Sequence, residues 1–304
     1  MSEPQTPPPF GDRLIASFER FGQLCIGIDP HPYLLQNWGL TDDAAGLREF
    51  GLRVVQAATG RVGLIKPQVA FFERHGSSGF AALEEVMRAG RQAGLLVIAD
   101  AKRGDLGTSV QAYGEAWLTP GSALEADALT INAYLGIGSI EAPMRLAEHH
   151  GKGLFVLAAT SNPEAFLLQT AIISAGPRVG STVAASIVEE VVEFNARLVQ
   201  TPQTPGSSAT LPTAIGAIGL VLGATVDFAA YGLDLSSIAA APAAPVLAPG
   251  FGHQGARFGD LGRLYGPAAA VTIVSASRSI LDAGPGGVAA AISAQAAEVF
   301  ACRG

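Results

Sequence analysis

Short apolar runs alternate along the chain with longer alanine-rich segments of helical period, which is the pattern of βα units on a parallel sheet. Eight runs have the length and composition of strands: Gln23–Asp29, Val62–Lys66, Leu95–Lys102, Ala128–Asn132, Gly153–Ser161, Ile218–Thr225, Pro245–Gly250 and Val271–Arg278. Eight parallel strands in one domain predict a closed (β/α)8 barrel, the TIM-barrel fold of the α/β class.

The segments between these runs fit helices and short loops. Phe80–Gly94 places Leu83, Val86 and Met87 near one face, and Gly94 is suited to end the helix. The stretch Thr201–Thr213 is rich in Pro, Ser and Thr, which predicts a surface loop before the sixth strand. We therefore expect a single domain over residues 1–304, with a flexible N-terminal tail at about residues 1–10.

Composition narrows the functional classes. The 304 residues are 49% hydrophobic, enough to bury a large core, and the net charge of −7 leaves no broad basic face for nucleic acid or an anionic membrane. Cys25 and Cys302 make neither a disulfide framework nor a zinc set. The polar, proline-rich start resembles neither a signal peptide nor a membrane span, so we expect a cytoplasmic protein.

Charged and polar residues recur where the predicted strands end, and active sites of barrels are built at those carboxyl ends. They are Asp29, Lys66, Asp100, Lys102, Ser161 and Arg278. Taken singly, each has a simpler explanation: Asp29 as a turn residue before proline, Lys66 as a side chain that reaches out of the barrel mouth. Asp100 and Lys102 are harder to dismiss, because a spacing of two on an extended strand points both to one side. A buried pair of opposite charges there suggests chemistry.

The segment Asp100–Gly107, DAKRGDLG, resembles the DxKxxD signature of the orotidine 5'-phosphate decarboxylase superfamily, and in particular its longer-chain bacterial subgroup. Further blocks resemble that subgroup in the same order: GIDPHP (27–32), IKPQVAFFERHG (65–76), LTINAYLG (129–136), LAATSNP (157–163), LVLGAT (220–225), APGFGHQGA (248–256) and SASRSI (275–280). The resemblance implies a (β/α)8 barrel that removes CO2 from its nucleotide substrate to give UMP, without a cofactor.

The implied reaction leaves a carbanion at C6 of the pyrimidine, so electrostatics must lower the barrier. Lys102 fits as the stabiliser and proton donor, and Asp100 would destabilise the departing carboxylate. The resemblance implies that Asp105 reaches in from the other subunit of a homodimer. Lys66 then completes an alternating Lys66, Asp100, Lys102, Asp105 array, in which opposite charges hold each other ionised.

The resemblance also implies substrate-binding residues. Arg278 and Gln254 match phosphate contacts, and barrels often bind phosphate between the loops after strands seven and eight. The glycine-rich loop around Gln254 could instead be a flexible surface turn. Ser161 would contact the pyrimidine, Asp29 and Lys66 the ribose hydroxyls, and Ser109 the ribose or phosphate region from the partner chain.

We expect no metal and no organic cofactor, since the five histidines show no metal-binding spacing. Two alternatives stay open. One is a metal-dependent phosphosugar decarboxylase or aldolase of the same superfamily, because DxKxxD is shared with those enzymes. The other is a non-catalytic barrel that binds a nucleotide or a protein partner.

Overall fold

The structure is a computed structural model that describes residues 8–197 and 214–302. Its eight strands are β1 Leu24–Ile28, β2 Leu64–Pro67, β3 Leu96–Arg103, β4 Ala128–Ile131, β5 Gly153–Ala159, β6 Ile218–Leu222, β7 Val246–Ala248 and β8 Thr272–Ala276. All neighbours pair in parallel in chain order, and β8 pairs with β1 to close the ring. The predicted (β/α)8 barrel is confirmed.

Each predicted run overlaps one of the strands: six runs contain their strand whole, whereas β2 and β3 each end one residue beyond the predicted run. Asp29, Ser161 and Arg278 all lie past the last paired residue of their strands, because the chain leaves the ladder there and turns into a loop or helix. The strands themselves are almost wholly buried, with Ile26, Val97 and others fully shielded from solvent. Polar side chains at these ends are thus held by a rigid, apolar framework.

Helices surround the barrel. Those within the described residues are α1 Phe10–Phe21, α2 Pro32–Asn37, α3 Ala44–Ala58, α4 Val69–Glu73, α5 Gly76–Gln92, α6 Gly107–Leu118, α7 Glu141–His149, α8 Ala165–Gln169, α9 Val183–Arg197, α10 Leu235–Ala239, α11 Leu261–Tyr265, α12 Arg278–Leu281 and α13 Gly284–Ala301. The predicted helix at Phe80–Gly94 corresponds to α5, which begins four residues earlier. Gly94 follows its end with φ of +78°, a conformation that favours glycine. The predicted loop Thr201–Thr213 lies outside the described residues.

Helix α1 packs against the amino end of the barrel. Phe10 is fully buried and meets Phe155 of β5 edge-to-face, with ring centroids 6.0 Å apart. Arg13 donates to Asp127, the residue before β4, at 2.5 Å and to the Gly151 carbonyl at 2.8 Å. The expected tail of about ten residues is therefore too long, because Phe10 already belongs to this packed helix. Residues 1–7 of the expected tail lie outside the described residues.

Glycine at position 153 makes this packing possible. A Cβ atom there would lie 2.7 Å from the Phe10 ring, closer than such atoms approach.

No helix in the described part of the chain is long and apolar enough to cross a membrane.

We predict that Phe10→Ala lowers the free energy of unfolding by about 3 to 5 kcal/mol, because it removes a fully buried aromatic ring and leaves a cavity under α1. Urea unfolding followed by circular dichroism measures the change. The matched control is Leu167→Ala, since Leu167 is 82% exposed and its loss should change stability by less than about 0.5 kcal/mol. Equal effects of the two substitutions would contradict the packing described for α1.

Candidate active site

A cavity of about 190 Å3 opens at the carboxyl ends of the strands. Its lining combines charged, polar and glycine-rich loop residues: Asp29, Lys66, Gln68, Asp100, Pro249, Gly250, Phe251, His253, Gln254, Ser275, Ser277 and Arg278. These residues come from the ends of β1, β2, β3, β7 and β8. The position is the one at which barrel enzymes hold their substrates.

A larger cavity, of about 580 Å3, lies between α7 and α9. Its charged residues are already paired with neighbouring side chains. Arg178 bonds Glu189 and Glu193, and Arg145 bonds Glu141. Size therefore does not identify the site, and the smaller cavity holds the chemistry.

A lysine–aspartate–lysine array lies at the smaller cavity, where Lys66 and Asp100 belong to the lining and Lys102 is bonded to Asp100. Lys66 Nζ donates to Asp100 Oδ2 at 2.7 Å, and Lys102 Nζ donates to Asp100 Oδ1 at 2.6 Å. Thr130 Oγ1 donates to the same Oδ1 at 2.9 Å. Charge-assisted hydrogen bonds of this length are the strong ones, so the Asp100 carboxylate is held from both sides.

The electrostatics of the array keep its buried members charged. Burial alone would raise the pKa of Asp100, but the ammonium groups of Lys66 and Lys102 outweigh it and hold that pKa well below its usual range. Burial likewise opposes the charge on Lys66, yet Asp100 and then Asp29 place the pKa of Lys66 above its ordinary value. At neutral pH the site contains fixed, oriented charges.

Burial differs sharply between the two lysines. The Lys66 side chain is 9% exposed and that of Asp100 is 8% exposed, so Lys66 does not reach out of the barrel mouth. Lys102 is 46% exposed, which corrects the prediction of a fully buried pair of opposite charges. Because its ammonium is open on one side, Lys102 is the member of the array that a substrate can approach.

The backbone that carries Lys102 is not extended. Its φ is +47°, a conformation that L-residues adopt at a cost, and the pairing of β3 with β4 shifts register between Ala99 and Arg103. Lys102 N donates to Thr130 Oγ1 at 3.0 Å, which holds this irregular segment. Asp100 and Lys102 therefore meet as predicted, but through a bulged, left-handed turn instead of simple strand alternation.

Asp105 and Ser109 do not line the cavity of their own chain. Asp105 is half-buried and accepts a hydrogen bond from Leu106 N at 2.8 Å. Within the described residues it forms no ion pair with Lys66 or Lys102. Ser109 lies exposed on α6, near Asp105. The four-member array predicted from the sequence is thus three-membered within one chain.

Of the predicted substrate-binding residues, Asp29, Gln254 and Arg278 line the cavity. Ser161 Oγ donates to Gln254 Oε1 at 3.3 Å, which joins the loops after β5 and β7. Arg278 begins α12 directly after β8, half-buried, and makes no ion pair with any described carboxylate. A free guanidinium beside a glycine-rich loop is suited to an anion.

The loop around Gln254 is an organised turn. Gly252 N donates to the Ala256 carbonyl at 2.9 Å, and Ala256 N donates to the Gly250 carbonyl at 3.2 Å. Gly250 has a φ of +115°, which only glycine adopts readily. The loop sequence therefore builds a specific shape next to Arg278, where the alternative prediction was an unstructured surface turn.

Sequence reasoning missed several residues of the site: Gln68, Thr130, His253, Ser275 and Ser277. A threonine in a buried apolar strand and two serines at alternate positions of the eighth predicted run were available signals, because inward-facing polar residues are rare in a barrel core unless they have partners. The described residues contain no cluster of three or more His, Cys, Asp or Glu side chains that could hold a metal ion.

Eight parallel strands with ionised side chains converging at their carboxyl ends define a TIM-barrel enzyme. Comparison with known proteins narrows the class. Residues 22–292 match the model of the orotidine 5'-phosphate decarboxylase / HUMPS family, and the chain belongs to that family.

Named relatives and solved structures agree. An orotidine 5'-phosphate decarboxylase of Corynebacterium efficiens is 43% identical over 291 residues, covering 95% of this chain and 96% of the relative. One from Nocardioides sp. is 45% identical over 273 residues, covering 90% and 92%. A crystal structure from Streptomyces avermitilis has a TM-score of 0.85 at 40% identity, with 99% of both chains covered. The Leishmania donovani OMP decarboxylase gives 0.70 at 28% identity, covering 97% and 98%.

We predict that Asp100→Asn lowers the free energy of unfolding by about 3 to 5 kcal/mol at neutral pH, because it leaves Lys66 buried beside an uncharged partner. Since the folded pKa of Asp100 is depressed, the contribution of its charge is present above the unfolded pKa of about 3.9 and is lost as pH falls through the folded value. The stability contribution of the Lys66 charge depends on pH in the opposite direction, because it is lost only as pH rises through the raised pKa of Lys66.

The measurement is urea unfolding of both proteins from about pH 3 to pH 9. The stability difference should be constant above about pH 5 and should shrink in acid. The control is Glu298→Gln, which changes an exposed carboxylate on α13. A difference for Asp100→Asn that is as small as the control at neutral pH would refute the electrostatic account.

Proposed function

We propose that this protein converts orotidine 5'-phosphate to UMP and CO2, using the array of Lys66, Asp100 and Lys102 at the barrel mouth. The observation that carries the proposal is the Asp100 carboxylate fixed between two ammonium-bearing side chains, that of Lys66 buried and that of Lys102 exposed. The family match and the relatives named orotidine 5'-phosphate decarboxylase support the same reaction.

The proposed chemistry breaks the bond between C6 and the carboxylate, and its electron pair stays on C6. The ammonium of Lys102 stabilises this charge and then supplies the proton that forms the new C–H bond. Asp100 lies next to the departing carboxylate and disfavours the ground state. Lys66 holds Asp100 ionised and in place, so the charges need little reorganisation as the reaction proceeds.

Electrostatic contact alone is too weak for the whole effect. Two unit charges ~4 Å apart at an effective dielectric of ~20 interact by ~4 kcal/mol. Binding of the remote phosphate is the natural source of the rest, since such binding energy offsets desolvation and closure at the reacting carbon. Arg278 and the loop of Gln254 supply that grip, and the contact between Gln254 and Ser161 links it to the pyrimidine side.

The proposal includes a cytoplasmic homodimer whose active sites are shared. Asp105 and Ser109 do not line the cavity of their own chain, and they lie on a loop and helix that also expose Leu106 (59%) and Tyr113 (38%). Apolar side chains beside polar ones are typical of a protein interface. Asp105 of one chain then completes the array of the other.

The direct test incubates the purified protein with orotidine 5'-phosphate and a chelator, and follows the loss of the substrate's ultraviolet absorbance. Turnover is expected without added metal. No turnover would reject the proposed function, and turnover only after addition of a divalent metal would favour the metal-dependent branch of the superfamily.

We predict that Lys102→Ala abolishes turnover while UMP binding persists, because the phosphate and ribose contacts remain after the proton donor is lost. Stopped assays give the rate, and calorimetric titration with UMP gives the affinity. Arg145→Ala is the control, since Arg145 is exposed on α7 and does not line the cavity of the proposed site. Near-normal turnover by Lys102→Ala would refute the role of this lysine.

We predict that Lys102→Ala and Asp105→Ala proteins are each nearly inactive alone, and recover activity when mixed. A mixed dimer has one site with both residues intact and one site with both lesions. Random reassortment of equal amounts therefore gives about a quarter of wild-type activity for a closed two-fold dimer. Subunit exchange is followed with differently labelled chains. Demonstrated exchange without recovered activity would exclude sites shared in this way.

A further inference from the structure

Ser277 lies where the inner face of β1 meets the end of β8. A Cβ atom on Gly27 would be 2.7 Å from Ser277 Cβ, 3.2 Å from Ser277 Oγ and 3.3 Å from Asp29 Oδ2. The serine side chain and the Asp29 carboxylate therefore flank the same point inside the barrel. Glycine at position 27 is what allows both to approach, because any side chain there would displace Ser277.

The hydroxyl of Ser277 is not used by the fold. Ser277 precedes α12, and a serine in that position usually accepts a hydrogen bond from the first turn of the helix. Here no side-chain cap bond forms, and the helix begins with bonds from Ile280 N and Leu281 N to the Ser277 carbonyl. Ser277 Oγ is shielded from solvent and has no partner among the described residues. Such a buried hydroxyl is costly unless something else binds it.

Asp29 is in the same condition. Its Oδ1 is buried without a hydrogen-bond partner in the described part of the chain, although the residue lines the cavity together with Ser277. Serine side chains occupy three staggered positions about the Cα–Cβ bond, so Ser277 Oγ can turn toward the cavity without movement of the backbone. The Ser277 hydroxyl and the Asp29 carboxylate thus lie near the same point, and each has an oxygen without a partner among the described residues.

The chemistry of these two oxygens selects that group. An ionised carboxylate only accepts hydrogen bonds, whereas a serine hydroxyl both donates and accepts. A phosphate oxygen would be repelled by the negative charge of Asp29. A cationic ligand is not needed either, because the Lys66 ammonium already interacts with the carboxylates of Asp29 and Asp100. A hydroxyl satisfies both partners, because it donates to Asp29 and accepts from Ser277.

We propose that Ser277, together with Asp29, binds one ribose hydroxyl of the nucleotide and so positions the sugar between the phosphate grip of Arg278 and the Lys102 ammonium. This inference rests on the proposed function and assigns Ser277 as a positioning residue for it. Ser277 is the neighbour of Arg278 in sequence, so the two contacts would fix the sugar and the phosphate from a single strand end.

The test compares Ser277→Ala with wild type on three substrates: orotidine 5'-phosphate and its 2'-deoxy and 3'-deoxy analogues. Loss of one net hydrogen bond should raise KM for the full substrate about 3- to 10-fold, with a smaller change in kcat. On the analogue that lacks the bound hydroxyl, wild type and variant should have the same KM. Asp29→Asn should also raise KM for the full substrate, and this increase should likewise disappear on that same analogue.

Ser293→Ala is the matched control, because Ser293 lies exposed on α13 and bonds only the Ala289 carbonyl. Absence of turnover by wild type and this control would reject the proposed function itself. Normal turnover by both, with an unchanged KM for Ser277→Ala, would overturn the role of Ser277 alone. A penalty of equal size on all three substrates would overturn it as well, since it would show a general structural effect.

Discussion

The Asp100 carboxylate, buried between the ammonium groups of Lys66 and Lys102, is the interaction on which the active site depends. A lone carboxylate at this depth would be neutralised, and a lone lysine would lose its proton. Together, the three groups can stay ionised, because each hydrogen-bonded ion pair offsets the cost of removing its charges from water. The proposed reaction needs the same arrangement, since oriented charges act on a developing carbanion without first being rearranged.

The charged groups at the two ends of the barrel differ in how they are paired. At the amino end, Arg13 pairs with Asp127, and Lys152, which is nearly inaccessible, pairs with Glu125 at 2.7 Å. These ion pairs join elements at the amino end of the barrel. At the carboxyl end, Arg278 is unpaired, and Asp29 and Ser277 have buried oxygens without partners among the described residues. Because Asp29, Ser277 and Arg278 also line the cavity, their polar groups are available to a ligand.

Much of the architecture could be predicted from the sequence, because apolar runs of strand length and the helices between them specify a parallel barrel. Four charged residues of the candidate site could be predicted from their positions at strand ends: Asp29, Lys66, Asp100 and Arg278. The details that were missed depend on tertiary contacts. No local pattern shows that Thr130 bridges Asp100 and the Lys102 backbone, or that Ser277 leaves its helix uncapped. The helix start at Gly76 also escaped prediction, since glycine and serine weaken the helical signal there.

The left-handed backbone at Lys102 has a consequence for how the protein can change. Any residue with a side chain is strained at this position, and glycine would be accommodated more easily. The lysine that we propose as the proton donor therefore stands at a position where the backbone conformation favours glycine. Selection for stability alone would favour replacement of this lysine by glycine. Its presence is therefore an example of the trade-off between stability and activity, in which backbone strain is retained for function.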